Sequence, residues 1–198
     1  MGKYDIICVH MEMLDCIEEN ITPLAGALKS GAVAVVPTDT VYGLAAHPAC
    51  PQAVERLYAI KGRDGGKPIA LLASGPDAVA RFGFPLTGRA ARLAEQHWPG
   101  SLTLVVENRS GATEGFRVPD HAWLRRLLEE CGGVLRVTSA NLSGLSPATD
   151  GKSALESVGL DADYVVDGGP CKTGVASTVA KVSPAGEVTL LRQGAIRL

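Results

Sequence analysis

The chain has 198 residues, 46% of them hydrophobic and 20% charged, with a formal net charge of −2 and an isoelectric point near 6.1. That composition supplies a sizeable core for one domain and excludes global disorder. The mild acidity excludes a wholesale nucleic-acid binder, which is ordinarily basic.

Charge is unevenly spread. Residues 1–20 carry Lys3 against Asp5, Glu12, Asp15, Glu18 and Glu19, whereas residues 21–150 hold 13 Lys/Arg against 11 Asp/Glu. A modestly positive middle can focus an anionic substrate; the same charges also read as ordinary solvated faces. Five cysteines stand at 8, 16, 50, 131 and 171 with no CxxC pair. The odd count and wide spacing argue against a disulfide framework or zinc knuckle and fit a reducing cytoplasm. Cys8, next to Val9, reads as a small packed apolar residue. The N-terminus has no signal-peptide pattern, and no apolar stretch approaches the roughly 20 residues that span a bilayer.

Along the chain, Tyr4–Val9 reads as a strand. Thr22-Pro23 offers an N-cap and a proline at the first helical position, with Gly31 as the stop. Ala32–Val36 is a continuous apolar run, the pattern of a buried strand, and it leads directly into Pro37-Thr38-Asp39-Thr40-Val41-Tyr42-Gly43-Leu44. Pro51 opens a helix in which Val54, Leu57 and Tyr58 recur at helical spacing and Ile60 lies near the end. The cationic stretch from Lys61 to Pro68 follows, and Pro68–Ala73 is a second buried run. Helical patches follow near 75–82 and 87–97, the latter with Thr87 as cap; Ser101–Glu107 is strand-like. Asp120 is placed to cap a helix containing Trp123, Leu124, Leu127 and Leu128, closed by Gly132-Gly133. Val134–Thr138 then feeds Ser139-Ala140-Asn141. The last third predicts a helix near 151–158, a strand at Tyr164–Val166 and strands at 177–183 and 187–192, joined as a hairpin by Pro184-Ala185-Gly186. Early alternation and late local pairing predict one α/β (α+β) domain over 1–198 with a mixed sheet and flanking helices.

Several loops carry candidate chemistry. Lys61, Arg63 and Lys67 are three cations in seven residues, interleaved with Gly62, Gly65 and Gly66. Glycine lets backbone N–H groups approach an anion that the side chains neutralise, although a solvated glycine loop fits the same spacing. It is not a Walker loop: no Ser/Thr follows Lys67, and Ser146 stands where Gly151-Lys152-Ser153 would need its first glycine. No GxGxxG occurs. Thr38, Asp39, Thr40 and Tyr42 follow a strand end, a favoured ligand position; a turn closed by local Thr and Asp hydrogen bonds is the competing reading. Ser139 lacks the G-x-S-x-G elbow and a motif-placed histidine, so a serine hydrolase is excluded. With only His10, His47, His97 and His121, no zinc motif is present. Arg117 lies in an apolar strand-like segment and needs a partner if buried, either a ligand carboxylate or a nearby Asp or Glu. Arg192 poses the same question.

In order, PTDTVYGL, KGR…KP, RVPDH, SANLSG, STV and LLRQG run from about Gly31 to Gly194. Each is weak alone; together and in sequence they resemble the YrdC-like family. The resemblance implies a twisted mixed sheet around a large positively charged cavity. It implies a reaction that joins L-threonine, bicarbonate (or carbon dioxide) and ATP into L-threonylcarbamoyl-AMP and pyrophosphate. The intermediate would serve a transferase complex that modifies the adenosine beside the anticodon of certain tRNAs. By position, Thr40, Arg117, Ser139 and Ser177 would hold L-threonine. Lys61, Arg63, Lys67, Thr113, Asn141, Thr149 and Arg192 would hold ATP, with Lys61 and Arg63 the catalytic cations. Asn is common where this chain has Lys67, and Leu72 replaces a histidine that longer members carry near the amino acid. Mg²⁺ would enter with ATP, held largely by phosphate and water, with no protein-built metal site. The pattern ends shortly after Arg192, which implies the short stand-alone form. A non-catalytic RNA-binding module and a carbamoyl-phosphate-handling enzyme are the competing classes; the latter is disfavoured by the missing cysteine pairs.

Overall fold

The computed structural model describes residues 11–62 and 68–198. The Tyr4–Val9 strand, Arg63 and Lys67 lie outside the described residues. Among the described residues ten strands form one sheet: β1 (Glu12–Asp15), β2 (Val33–Val36), β3 (Gly43–Ala46), β4 (Leu71–Ala73), β5 (Leu102–Glu107), β6 (Thr113–Arg117), β7 (Val134–Ser139), β8 (Tyr164–Asp167), β9 (Thr178–Val182) and β10 (Val188–Arg192). Their spatial order is β1-β8-β2-β3-β7-β4-β6-β5-β9-β10. Flanking it among the described residues are α1 (Ile21–Lys29), α2 (Pro51–Lys61), α3 (Pro76–Arg81), α4 (Gly88–His97), α5 (Ala122–Glu130) and α6 (Gly151–Val158). Pairing is mixed as expected: β1–β8, β2–β8, β4–β6 and β5–β9 are parallel, and the other five pairs are antiparallel.

Two helix starts and three short strands depart from the sequence expectation. α1 begins at Ile21 after a 3-10 turn over Glu18–Asn20, so Asn20, not Thr22, holds the N-cap. α5 begins at Ala122, which makes His121 the cap: its Nδ1 accepts from Leu124 N at 3.3 Å. Asp120 sits one residue too early and instead accepts from Lys172 Nζ at 2.7 Å. β1, β3 and β6 are short strands with only weak alternation; β3 opens on a glycine that the motif reading left in a loop.

The sheet's period of two decides where the core ends and the cavity begins. β2 is buried on both faces. Ala34 and Val36 pack with Leu24 and Leu28 of α1 and with Leu124 and Leu127 of α5. Val33 and Val35 pack with Leu57 of α2 and Val158 of α6. Across the other half one face is filled, and the opposite face is covered only in part, where Leu72 packs with Leu124 and Leu127 of α5. Leu71, Leu102, Leu104, Phe116, Ala180 and Val182 meet Val79 of α3 and Leu93 of α4. Their strand neighbours Ala70, Leu72, Thr103, Val105, Arg117 and Val179 point the opposite way and line a cavity. Register keeps that face continuous: Leu72 pairs with Arg117 and Thr103 with Val179.

The β9–β10 hairpin forms as expected, closed by Ser183 N to Glu187 O at 2.9 Å. Its register slips between Leu190 and Arg192, and this bulge brings Leu191 and Arg192 together onto the cavity wall. Gly194 then lets the chain end lie against β9. A Cβ there would come within 2.3 Å of Ala176 O and 2.4 Å of Thr178 N. Gly194→Ala is expected to cost about 1–3 kcal/mol in urea unfolding through this overpacking; an unchanged midpoint would show that the end of β10 does not need the close approach.

Candidate active site

The cavity has a volume of about 750 Å³ and opens over β7, β4, β6, β5, β9 and β10, within the usual range of small-molecule sites. Thr40, Thr113, Arg117, Ser139, Ser177 and Arg192 all line it, drawn from five separate segments of the chain.

The Pro37–Tyr42 loop presents Thr40 from the end of β2. Thr38 Oγ1 donates to Val41 O at 2.8 Å and accepts from Thr40 N at 3.0 Å, and its hydroxyl lies 3.0 Å from that of Thr40. The local-turn reading of this loop is therefore realised, and the same turn carries Thr40 to the cavity. Tyr42 anchors the loop from behind, its hydroxyl donating to Gly169 O at 2.7 Å and accepting from Gly168 N at 3.0 Å. Burial pushes that phenol's pKa well above its ordinary value.

Arg117 is 6% exposed. Its Nε donates to Gly100 O at 2.9 Å, Nη1 to Thr40 Oγ1 at 2.8 Å, and Nη2 to Asp39 Oδ1 in a buried ion pair. The carboxylate partner that the sequence left open is thus Asp39. Burial pulls the Arg117 pKa down, Asp39 pulls it back up, and the Arg192 charge presses in the same direction as burial; the guanidinium nonetheless stays protonated. Arg192 donates from Nε and Nη2 to Ser177 O at 3.0 and 2.8 Å, and from Nη2 to Ser177 Oγ at 3.0 Å. Ser177 in turn shares a 2.8 Å hydrogen bond with Thr103.

Lys61, Asn141 and Thr149 are not among the lining residues. Lys61 is 3% exposed at the end of α2. Its Nζ donates to Ser139 O at 2.6 Å, Asn141 O at 2.8 Å and Asn141 Oδ1 at 3.1 Å. The Asn141 amide donates to Leu142 O and Leu145 O, both at 2.8 Å. The pair therefore buttresses the turn that presents Ser139. Thr149 is exposed, and its carbonyl accepts from Cys171 N at 2.7 Å.

Sequence reasoning passed over Thr103 and Glu114, which also line the cavity. Thr103 between Leu102 and Leu104 carried a usable signal: a polar residue in alternation marks a face that is not core. Glu114 gave none, because its partner Arg136, 2.5 Å away, comes from another strand. Arg136 also donates to Ile69 O at 2.6 Å. Among the described residues no group of three His, Cys, Asp or Glu is placed to hold a metal ion. The wall carboxylate Glu114 is engaged by Arg136, so these residues do not build a magnesium cage.

Residues 26–194 match the Sua5/YciO/YrdC family model, described as telomere recombination. The chain belongs to the Sua5/YciO/YrdC family. It is 33% identical over 193 residues to the threonylcarbamoyl-AMP synthase of Rattus norvegicus, covering 89% of this chain and 67% of that one. It is 32% identical over 190 residues to the enzyme of that name from Bacillus subtilis (strain 168), covering 90% and 54%. The structure of P. abyssi Sua5 complexed with L-threonine superposes with a TM-score of 0.83 at 28% identity, covering 93% of this chain and 57% of that one. The chain thus spans between about half and two thirds of the length of these relatives.

Lys61→Met would leave the oxygens of Ser139 and Asn141 short of a buried donor. The expected cost is about 1–3 kcal/mol in urea unfolding; full stability retained would show that the ammonium is not needed to brace the turn.

Proposed function

We propose that this chain forms L-threonylcarbamoyl-AMP and pyrophosphate from L-threonine, bicarbonate (or carbon dioxide) and ATP. The observation that carries this reading is the convergence of Thr40, Arg117, Ser139, Ser177 and Arg192 on one cavity. The printed activity of the rat and Bacillus relatives and the L-threonine complex of the P. abyssi protein support it.

In this reading the threonine carboxylate rests on Arg117, with the Ser139 and Ser177 hydroxyls completing the subsite. The amine attacks carbon dioxide, losing a proton to give a carbamate. A carbamate oxygen then attacks the α-phosphorus of ATP, the bond from that phosphorus to the α,β-bridging oxygen breaks, and the β- and γ-phosphates depart together as pyrophosphate. No enzyme nucleophile is required; the residues position the reactants and offset charge on phosphate oxygens. Arg192 and Thr113 face the nucleotide, and Arg63 and Lys67 are assigned to its phosphates by the sequence pattern. Lys61 contributes from behind, through Ser139 and Asn141. Magnesium supplies countercharge on the triphosphate when bound. The product would pass to a tRNA-modifying transferase complex in the cytoplasm. No helix among the described residues is long and apolar enough to cross a membrane.

Pyrophosphate release from ATP and bicarbonate is expected only when L-threonine is added. Release that ignores threonine, or RNA binding with no release at all, would overturn the reading in favour of another enzyme or a binding module. Arg63→Ala should slow release on the order of 100-fold, as for other charge-stabilising groups.

Leu72 narrows the amino-acid pocket without a polar group, since it is buried and lines the cavity. Discrimination against serine then rests on one methyl contact, worth about 1–3 kcal/mol, whereas valine loses a hydroxyl hydrogen bond. Steady-state rates should therefore fall in the order threonine, serine, valine; equal rates for valine and threonine would contradict a hydroxyl-reading site.

A further inference from the structure

We propose that Asp39 is a positioning residue that fixes Arg117 and, with Thr38, leaves the Thr40 hydroxyl able to accept but not to donate, so that Thr40 faces the amine of the amino acid. The inference rests on the functional reading above for its ligand, and on geometry alone for the positioning.

Asp39 is 3% exposed and does not line the cavity. It ties three segments together. One carboxylate oxygen takes Arg117 Nη2 and the other accepts from Ser101 Oγ at 3.4 Å. Its backbone carbonyl accepts from Thr173 N at 3.1 Å and Thr173 Oγ1 at 3.2 Å. A buried guanidinium would otherwise be drawn toward water or a ligand, and the paired carboxylate holds it where its plane meets Thr40.

Hydrogen-bond directions follow from counting protons. The single Thr38 hydroxyl proton goes to Val41 O. In the Thr38–Thr40 contact, Thr40 must therefore be the donor. Its proton is spent, and one of its two lone pairs accepts from Arg117 Nη1. What remains on Thr40 is a lone pair, which suits an N–H or O–H and repels a carboxylate. Arg117 has five N–H donors, of which three are engaged by Gly100, Thr40 and Asp39. Two are left for a ligand carboxylate beside Thr40. In an α-amino acid the donor nearest that carboxylate is the amine, one carbon before the side-chain hydroxyl. Thr40 thus orients the nitrogen that must carry the carbamate.

Two measurements test this on the full chain. In ¹⁵N-detected NMR of the ligand-free protein, the Arg117 Nε–H should exchange slowly with water in the wild type and at least about tenfold faster in Asp39→Asn, because the anchoring pair is lost. Unchanged exchange would overturn the positioning role whatever the ligand proves to be. By calorimetry, Asp39→Asn should weaken L-threonine binding about tenfold or more, the loss of one well-aligned charged contact, with ATP affinity unchanged. Equal weakening for both ligands would indicate a merely structural role and overturn the inference. Thr40→Val should weaken L-threonine but not 3-hydroxybutanoate, which lacks the amine; equal weakening would overturn the amine assignment. Should Asp39→Asn fail to fold, Thr38→Val decides. It frees the Thr40 proton and should weaken L-threonine while sparing the amine-free acid, and undiminished threonine binding would count against the inference. A wild type that binds no L-threonine sinks the functional reading, while the exchange measurement still decides the role of Asp39.

Discussion

A buried guanidinium held by a buried carboxylate organises this molecule's interior. Arg117 and Asp39 come from positions 78 residues apart, and each is nearly sealed from water. An arginine in that position without a partner would be strongly unfavourable, and the pair is tolerated because its geometry and added hydrogen bonds replace lost hydration. The pair draws the Pro37–Tyr42 loop, the Gly100-Ser101 turn, β6 and the Thr173 segment into one unit. That unit forms the charged end of the cavity, and its rigidity is what gives the neighbouring hydroxyls fixed directions.

The cavity itself is a consequence of strand alternation. Along β4, β5, β6 and β9, every second side chain is drawn into the core beneath α3 and α4, and of the intervening ones Leu72 meets α5 while those of β5, β6 and β9 line the cavity. Small and polar residues there, such as Ala70, Thr103 and Gly115, leave room rather than filling it. A Cβ at Gly115 would come within 3.3 Å of Ala70 Cβ and 3.6 Å of Val105 Cγ2, so a larger residue would crowd both neighbours. The Phe82, Phe84 and Phe116 rings pack against one another on the core side, with centroids 5.2–6.5 Å apart. Arg117 therefore stands on a strand whose preceding residue is locked.

Much of this was readable from residue order. The long helices announced themselves by apolar spacing, and the mixed sheet by its alternation with them. Thr40 and Ser139 follow strand-like runs, and strand ends are where the fold delivers side chains to a shared hollow; Arg117 and Arg192 stand out as cations in apolar segments, whereas the role of Ser177 comes from the family resemblance. Lys61 shows what spacing cannot reveal. It reads as part of a glycine-rich cationic loop, yet α2 continues through it and stops at Gly62, whose φ of 56° turns the chain. The lysine is thereby aimed inward at the Ser139–Asn141 turn. The Glu114–Arg136 pair and the bulge before Arg192 were invisible for a related reason: both depend on which strands become neighbours, which no local pattern specifies. Asp120 failed as a cap by one residue and Thr22 by two, since capping is decided by the first helical dihedral and not by residue type alone.

A crystal structure with L-threonine and a non-hydrolysable ATP analogue bears most directly on this account. The amino-acid carboxylate should lie within hydrogen-bonding distance of Arg117, with Asp39 still on the guanidinium's far side and the triphosphate in the same cavity. An amino acid bound elsewhere, or Arg117 swung away from Asp39 to reach it, would contradict the account.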